Sequence, residues 1–103
     1  MEPYKVVFDS VDWQAPMPGV RFKVVPIGSR RMRLVEFTRE FEEAQWCERD
    51  HVGLVLGGEL EIDFQGRIVR YPEGTGIAIP AGNGHKARSV TSLSRLFLIE
   101  DAP

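Results

Sequence analysis

The sequence predicts an all-β domain, either a sandwich or a small barrel. Three observations carry that prediction. Short β-type runs follow one another along 103 residues, separated by turn residues among ten Gly and seven Pro. No stretch sustains the 3.6-residue apolar period of an amphipathic helix. One run alternates cleanly, with Leu60, Ile62 and Phe64 set against Glu59, Glu61 and Asp63, which is the period of a half-buried strand.

Taken in order, residues 4–8 (Tyr-Lys-Val-Val-Phe) are a β-type run, and residues 9–14 are expected to form a helical turn capped by Asp9 or Ser10. Pro16 and Pro18 make 15–19 a loop. Residues 20–25 form a strand, 26–29 a turn and 31–37 the next strand. In that strand Met32, Leu34 and Glu36 share one face, and Arg31, Arg33, Val35 and Phe37 the other. Residues 41–50 allow one helical turn. Strands at 51–56 and 59–64 flank Gly57-Gly58, and Gln65-Gly66 is a two-residue hairpin loop leading into 67–71. A turn at 72–74, strands at 75–79, 85–90 and 94–99, and a loop at 80–84 complete the chain.

Composition bounds the function. Lys plus Arg is 13 against 15 for Asp plus Glu, a net charge of -2, so no global field draws the chain to nucleic acid or to an anionic membrane. The longest apolar run, 52–58, is strand-length and far short of the roughly 20 residues of a spanning helix. The first residues lack the basic and apolar regions of a signal peptide. The single cysteine, Cys47, has no internal disulfide partner, which leads us to expect a reducing, cytoplasmic setting. The length leads us to expect one domain over 1–103.

Both histidines sit beside the glycine punctuation. The spacing Gly74-x5-Pro80-x-Gly82-x2-His85 is similar, without a gap, to the second conserved motif of the cupin superfamily. Upstream, residues 45–58 resemble the first cupin motif, Gly-x5-His-x-His-x3,4-Glu-x6-Gly: Gly58 closes it, His51 stands at the glutamate position, and Cys47 and Gln45 stand at the two histidine positions. Arg39 replaces its opening glycine, and Ser89 the asparagine that often follows the second motif. The resemblance covers nearly half the chain and implies a cupin domain, a double-stranded β-helix or jelly-roll barrel.

The donor set has its own chemistry. Gln45, Cys47 and His51 share parity, and His85 opens another strand above the small residues Ala87 and Ser89, which would leave volume beneath it. A thiolate with two imidazoles suits a divalent transition metal, Zn²⁺ first, then Ni, Fe or Cu. Cys47, His51 and His85 are therefore the candidate metal ligands, with Gln45 steering a water or substrate and Glu36 a candidate acid or base if it points inward. The bland readings are a buried apolar cysteine, two hydrogen-bonded structural histidines and a rim glutamate. The acidic residues Glu40, Glu42, Glu43 and Glu48 read as a solvated loop, and Arg30, Arg31 and Arg33 as charge protecting an edge strand.

Two functions follow. The first is a small metal-dependent enzyme performing lyase, isomerase or hydrolase chemistry on a small organic molecule. The second is a non-catalytic, small-ligand-binding or sensing protein, metal-free in one version. A third, lesser reading makes Cys47 a redox-responsive thiol. A homodimer is expected, joined through an edge strand at 4–8.

Overall fold

The computed structural model describes residues 4–102. Nine strands follow a short 3-10 turn at Phe8–Ser10: β1 Gln14–Met17, β2 Val20–Ile27, β3 Arg30–Thr38, β4 His51–Gly57, β5 Glu59–Asp63, β6 Ile68–Pro72, β7 Gly76–Ile79, β8 Lys86–Ser89 and β9 Leu93–Asp101. They form two antiparallel sheets, one of six strands in the order β1-β2-β3-β9-β4-β7 and one of three in the order β6-β5-β8. The sheets face one another in a jelly-roll arrangement. Between them lie Val35 and Phe37 of β3, Val55 of β4, Leu60 and Ile62 of β5, Ile77 and Ile79 of β7, and Leu96 and Leu98 of β9.

Alternation explains the core. On β9 the inward row is Ser94, Leu96, Leu98 and Glu100, each buried, with less buried residues between them. Register sets these opposite Phe37, Val35, Arg33 and Arg31 of β3. The odd-numbered face of β3 is therefore the inner one, and its two arginines point inward rather than along an edge. The expectation of an edge strand fails because β3 lies between β2 and β9.

Glu36 consequently points out of the barrel, correcting its expected inward aim. Register places it between Arg21 of β2 and Arg95 of β9. Arg21 Nε donates to one carboxylate oxygen at 2.7 Å and Arg95 Nε to the other at 2.9 Å. Burial alone would raise its pKa, but the bonds from Arg95 and Arg21 outweigh that and hold it below 4.5. A lowered folded-state value means that the stabilisation is present above the unfolded-state pKa and is lost as pH falls below it. Glu36→Gln should thus lower the melting temperature by about 4–8 °C at pH 7, the equivalent of ~1 kcal/mol in a chain this size. Thermal melts at pH 7 and pH 3 check this, and the gap between variant and wild type should shrink at the lower pH.

Three other local expectations change. Residues 15–17 belong to β1 despite Pro16, because β1 is an edge strand paired only with β2, where a missing N–H costs nothing. Residues 4–8 form no strand; Phe8 sits edge-on to Phe97 at 6.3 Å, and Lys23 donates to its carbonyl at 2.8 Å. The expected strand at 4–8 is therefore absent from the described residues. Residues 41–50 form no helical turn, because their polar groups serve tertiary pairing: Gly82 N–H donates to the Glu48 carbonyl at 2.8 Å, and Cys47 pairs with His85. The Gln65-Gly66 loop is as expected. Both residues have positive φ, 59° and 109°, as a type I′ turn requires, and Phe64 N–H donates to the Arg67 carbonyl at 2.8 Å across the mouth of the loop.

Candidate metal centre

The site forms where the 41–50 segment lies against the start of β8. Cys47 and His85 are a hydrogen-bonded antiparallel pair: Cys47 N–H donates to the His85 carbonyl at 2.9 Å, and His85 N–H to the Cys47 carbonyl at 3.0 Å. Residues opposed in this way project their side chains to the same face, so sulfur and imidazole both enter the barrel. The tight bend ahead of His85 rests on Gly82, whose φ of +89° is unfavourable for any residue with a Cβ. His51 opens β4 four residues beyond Cys47. Two residues further on, Gly53 lets the chain close up, since a Cβ there would lie 1.8 Å from the Phe97 carbonyl oxygen.

One sulfur and one ring nitrogen each from His51 and His85 lie within 4.8 Å of one another. Cys47 Sγ is 3.7 Å from His51 Nε2, and the two rings stand nearly perpendicular with centroids 4.9 Å apart. Tetrahedral zinc bonds of roughly 2.3 Å to sulfur and 2.0 Å to nitrogen set their separation at ~3.5 Å, close to the Cys47–His51 spacing.

The outer atoms of each imidazole are fixed as well. His51 donates its Nδ1–H to Glu100 Oε2 at 2.6 Å, and His85 donates its Nδ1–H to the Asn83 carbonyl at 2.9 Å. Both acceptors lack a proton to give, so each Nδ1 must carry the hydrogen and each Nε2 is left for the cavity. Glu100 is fully buried and also receives Arg31 Nε at 2.8 Å and the Arg33 guanidinium through both its oxygens.

The electrostatics follow this geometry. The His51 imidazole, joined by His85, brings the Cys47 thiol down to about 5. Burial works against a charged His51, but Cys47 and Glu100 outweigh it and raise its pKa to about 9. His85 is likewise raised: burial opposes, and Cys47 and the Asn83 carbonyl prevail. Burial also opposes ionisation of Glu100, but His51 and Arg33 bring its pKa down to about 2. Without an ion, the cluster is a thiolate held by imidazolium.

The cavity in front of these groups has a volume of ≈ 200 Å³ and is lined by Cys47, His51, His85, Arg33 and Glu43 together with apolar side chains from both sheets. Ala87 lines it as expected of a small residue beneath His85, whereas Ser89 is engaged with Ser94 Oγ at 2.6 Å. Gln45 does not reach the cavity. It is exposed, because the shared parity that placed it inward applies to a strand, and residues 43–46 are irregular. Glu36 is on the opposite face of its sheet.

Two other acidic residues stand at or behind the centre, Glu43 in the cavity lining and Glu100 against His51. Glu43, read from sequence as part of a solvated acidic loop, turns inward and accepts from Ala87 N–H at 2.9 Å; burial raises its pKa, and only in part does the Ala87 bond oppose this. Glu100 continues the Ser94–Leu96–Leu98 alternation by one step, a signal present in the sequence once the strand is extended past Ile99.

A scan against protein-family models matches none, and a search of curated proteins returns no match. Solved structures do match. An RmlC-like cupin from Shewanella frigidimarina superposes with a TM-score of 0.81 at 12% identity, covering 99% of this chain and 93% of that one. KdgF from Halomonas sp. gives 0.78 at 24% identity, covering 94% and 93%. The chain has the cupin fold. A cupin-superfamily sugar phosphate isomerase from Silicibacter pomeroyi gives 0.76 at 18% identity over 96% and 76%. No described helix of this chain is long and apolar enough to cross a membrane.

Proposed function

We propose that this cupin chain holds a divalent transition metal, zinc first and nickel, iron or copper as the others, on Cys47, His51 and His85, and acts on a small organic molecule beside it. The observation that supports this most is the convergence of the three donor atoms within 4.8 Å, with both imidazoles oriented through their far nitrogens by Glu100 and Asn83. Three protein ligands leave a coordination position for substrate or water, the open pattern of catalytic zinc. A bound ion of this kind supplies a Lewis acid that polarises an oxygen of the ligand.

The chain's own residues do the rest. Cys47 and the two Nε2 atoms hold the ion. Glu100 keeps the His51 ring in place, and Arg31 and Arg33 keep Glu100 ionised. Glu43 lines the same cavity with a pKa raised by burial, which makes it the candidate general acid or base of this site. That carboxyl favours turnover over binding alone, and lyase, isomerase or hydrolase chemistry is the reaction class. The solved cupins include one named as a sugar phosphate isomerase, which is compatible with an enzyme on this fold. Homodimerisation stays part of this reading, now through the exposed apolar row Val52, Leu54 and Leu56 on the outer face of β4.

Thiol alkylation tests the centre. In metal-stripped protein, a Cys47 pKa of about 5 means that the iodoacetamide rate should already be on its plateau at pH 7, where an ordinary thiol is still rising toward ~8.5. One equivalent of zinc should suppress the reaction. Unchanged alkylation in the presence of zinc, with no metal found by elemental analysis of untagged protein, would remove the metal reading.

A further inference from the structure

The cavity's polar groups are confined to one wall. Cys47, His51, His85 and Glu43 belong to the donor cluster or lie beside it, and the one arginine in the lining, Arg33, is committed to Glu100 through both its oxygens. The remaining walls come from Phe22, Phe37, Ile62, Ile77, Leu96 and Leu98, which carry no polar side-chain atom. A sugar or sugar phosphate buried here would leave its hydroxyls without partners, each paying its desolvation cost unrecovered. Outside the metal centre, its phosphate would find no uncommitted arginine or lysine among the lining residues. The volume of ≈ 200 Å³ is also below the roughly 300–1,000 Å³ of sites for drug-sized ligands.

Resting on the proposed metal centre for its polar end, we propose that the ligand of this cavity is a small organic acid with a single polar head and an apolar, aromatic or short aliphatic body. The head meets the Cys47–His51–His85 centre beside Glu43. The body lies against the walls contributed by β3, β7 and β9. This sets the chain apart from the sugar phosphate isomerase whose fold it shares: the scaffold is common, and the lining selects a different class of molecule. Discrimination arises mainly from exclusion, since each hydroxyl added to the body meets an aliphatic surface with nothing to pair with.

Isothermal titration with three probes tests this on zinc-loaded and on chelator-stripped protein, with the metal content of each sample measured. Phenylacetate carries the proposed head and body, benzyl alcohol an uncharged version, and glucose 6-phosphate the excluded class. Phenylacetate should bind zinc-loaded protein at least tenfold more tightly than stripped protein. Benzyl alcohol should bind both forms alike, because its affinity comes from the walls. Glucose 6-phosphate should bind neither. Ala87→Leu, which adds bulk to the cavity away from the ligating atoms, should weaken both aromatic probes at least tenfold while zinc stoichiometry is retained. A protein that takes up no zinc but still prefers benzyl alcohol to glucose 6-phosphate would overturn the centre and keep the apolar-body assignment. Glucose 6-phosphate binding as tightly as phenylacetate, or no aromatic probe binding to protein shown to hold zinc, would overturn the ligand class.

Discussion

Cys47→Ala will lower zinc affinity by more than the roughly 100-fold that accompanies loss of an outer-shell partner, and will leave the fold in place. The sulfur is the sole thiolate in the chain and the only ligand of the three that brings a full negative charge to the ion. Removing it leaves two neutral nitrogens, a set that holds zinc weakly. The backbone pairing of Cys47 with His85 does not involve the side chain, so alanine preserves the bridge. Cys47 is also only partly buried, and the cavity left by its sulfur joins one that already exists. Competition against a chromophoric chelator measures the affinity, and far-ultraviolet circular dichroism checks the fold. Cys47→Ser should recover little, because a serine hydroxyl stays protonated where the thiol is ionised. An alanine variant that binds zinc as tightly as wild type would show that sulfur does not touch the ion.

The sequence made the scaffold and the three donors legible for a simple reason. Strand alternation and glycine-proline punctuation are local signals, and β5 with its Gln65-Gly66 turn shows both within eight residues. The second motif is likewise a run of local geometry, a bend through Gly82 that must precede His85. What stayed hidden was long-range or irregular. Parity projects a side chain correctly only within a strand, so it misplaced Gln45, whose neighbours are not in one, and it gave no hint that Glu43 turns inward to the Ala87 N–H. Within β3 parity grouped the residues correctly, but Met32 and Leu34 suggested the wrong inner face. Apolar side chains on the outer face of a six-stranded sheet look like core residues in one dimension. Arg31 and Arg33 look like solvent-facing charge until Glu100, 67 residues beyond Arg33, is brought across from β9. A buried ion cluster has no local period, and only the β3–β9 register reveals it.

That cluster carries the largest expected effect on stability. Glu100→Ala should destabilise the protein by about 3–5 kcal/mol, the usual cost of removing one partner from a buried ionic group. Its carboxylate is fully buried, and the Arg31 and Arg33 side chains are themselves only 17% and 16% exposed. Alanine would leave four N–H groups, from Arg31, Arg33 and His51, converging on an apolar methyl in place of two acceptor oxygens. At about 4–8 °C per kcal/mol for a chain near 100 residues, the melting temperature should fall by roughly 15 °C or more. Glu100→Gln separates structure from positioning. Its amide oxygen can still accept from one donor, so the loss of stability should be smaller, but His51 loses its charged anchor and the ring is free to turn. Zinc affinity in Glu100→Gln should therefore drop by ~10–100-fold, as for other outer-shell partners of ligating histidines, even in solutions where the variant is fully folded. Urea denaturation gives the first quantity and chelator competition the second. A Glu100→Ala variant within about 1 kcal/mol of wild type would mean that the two arginines reach solvent on their own, and unaltered zinc affinity in Glu100→Gln would mean that His51 is oriented by packing rather than by this carboxylate.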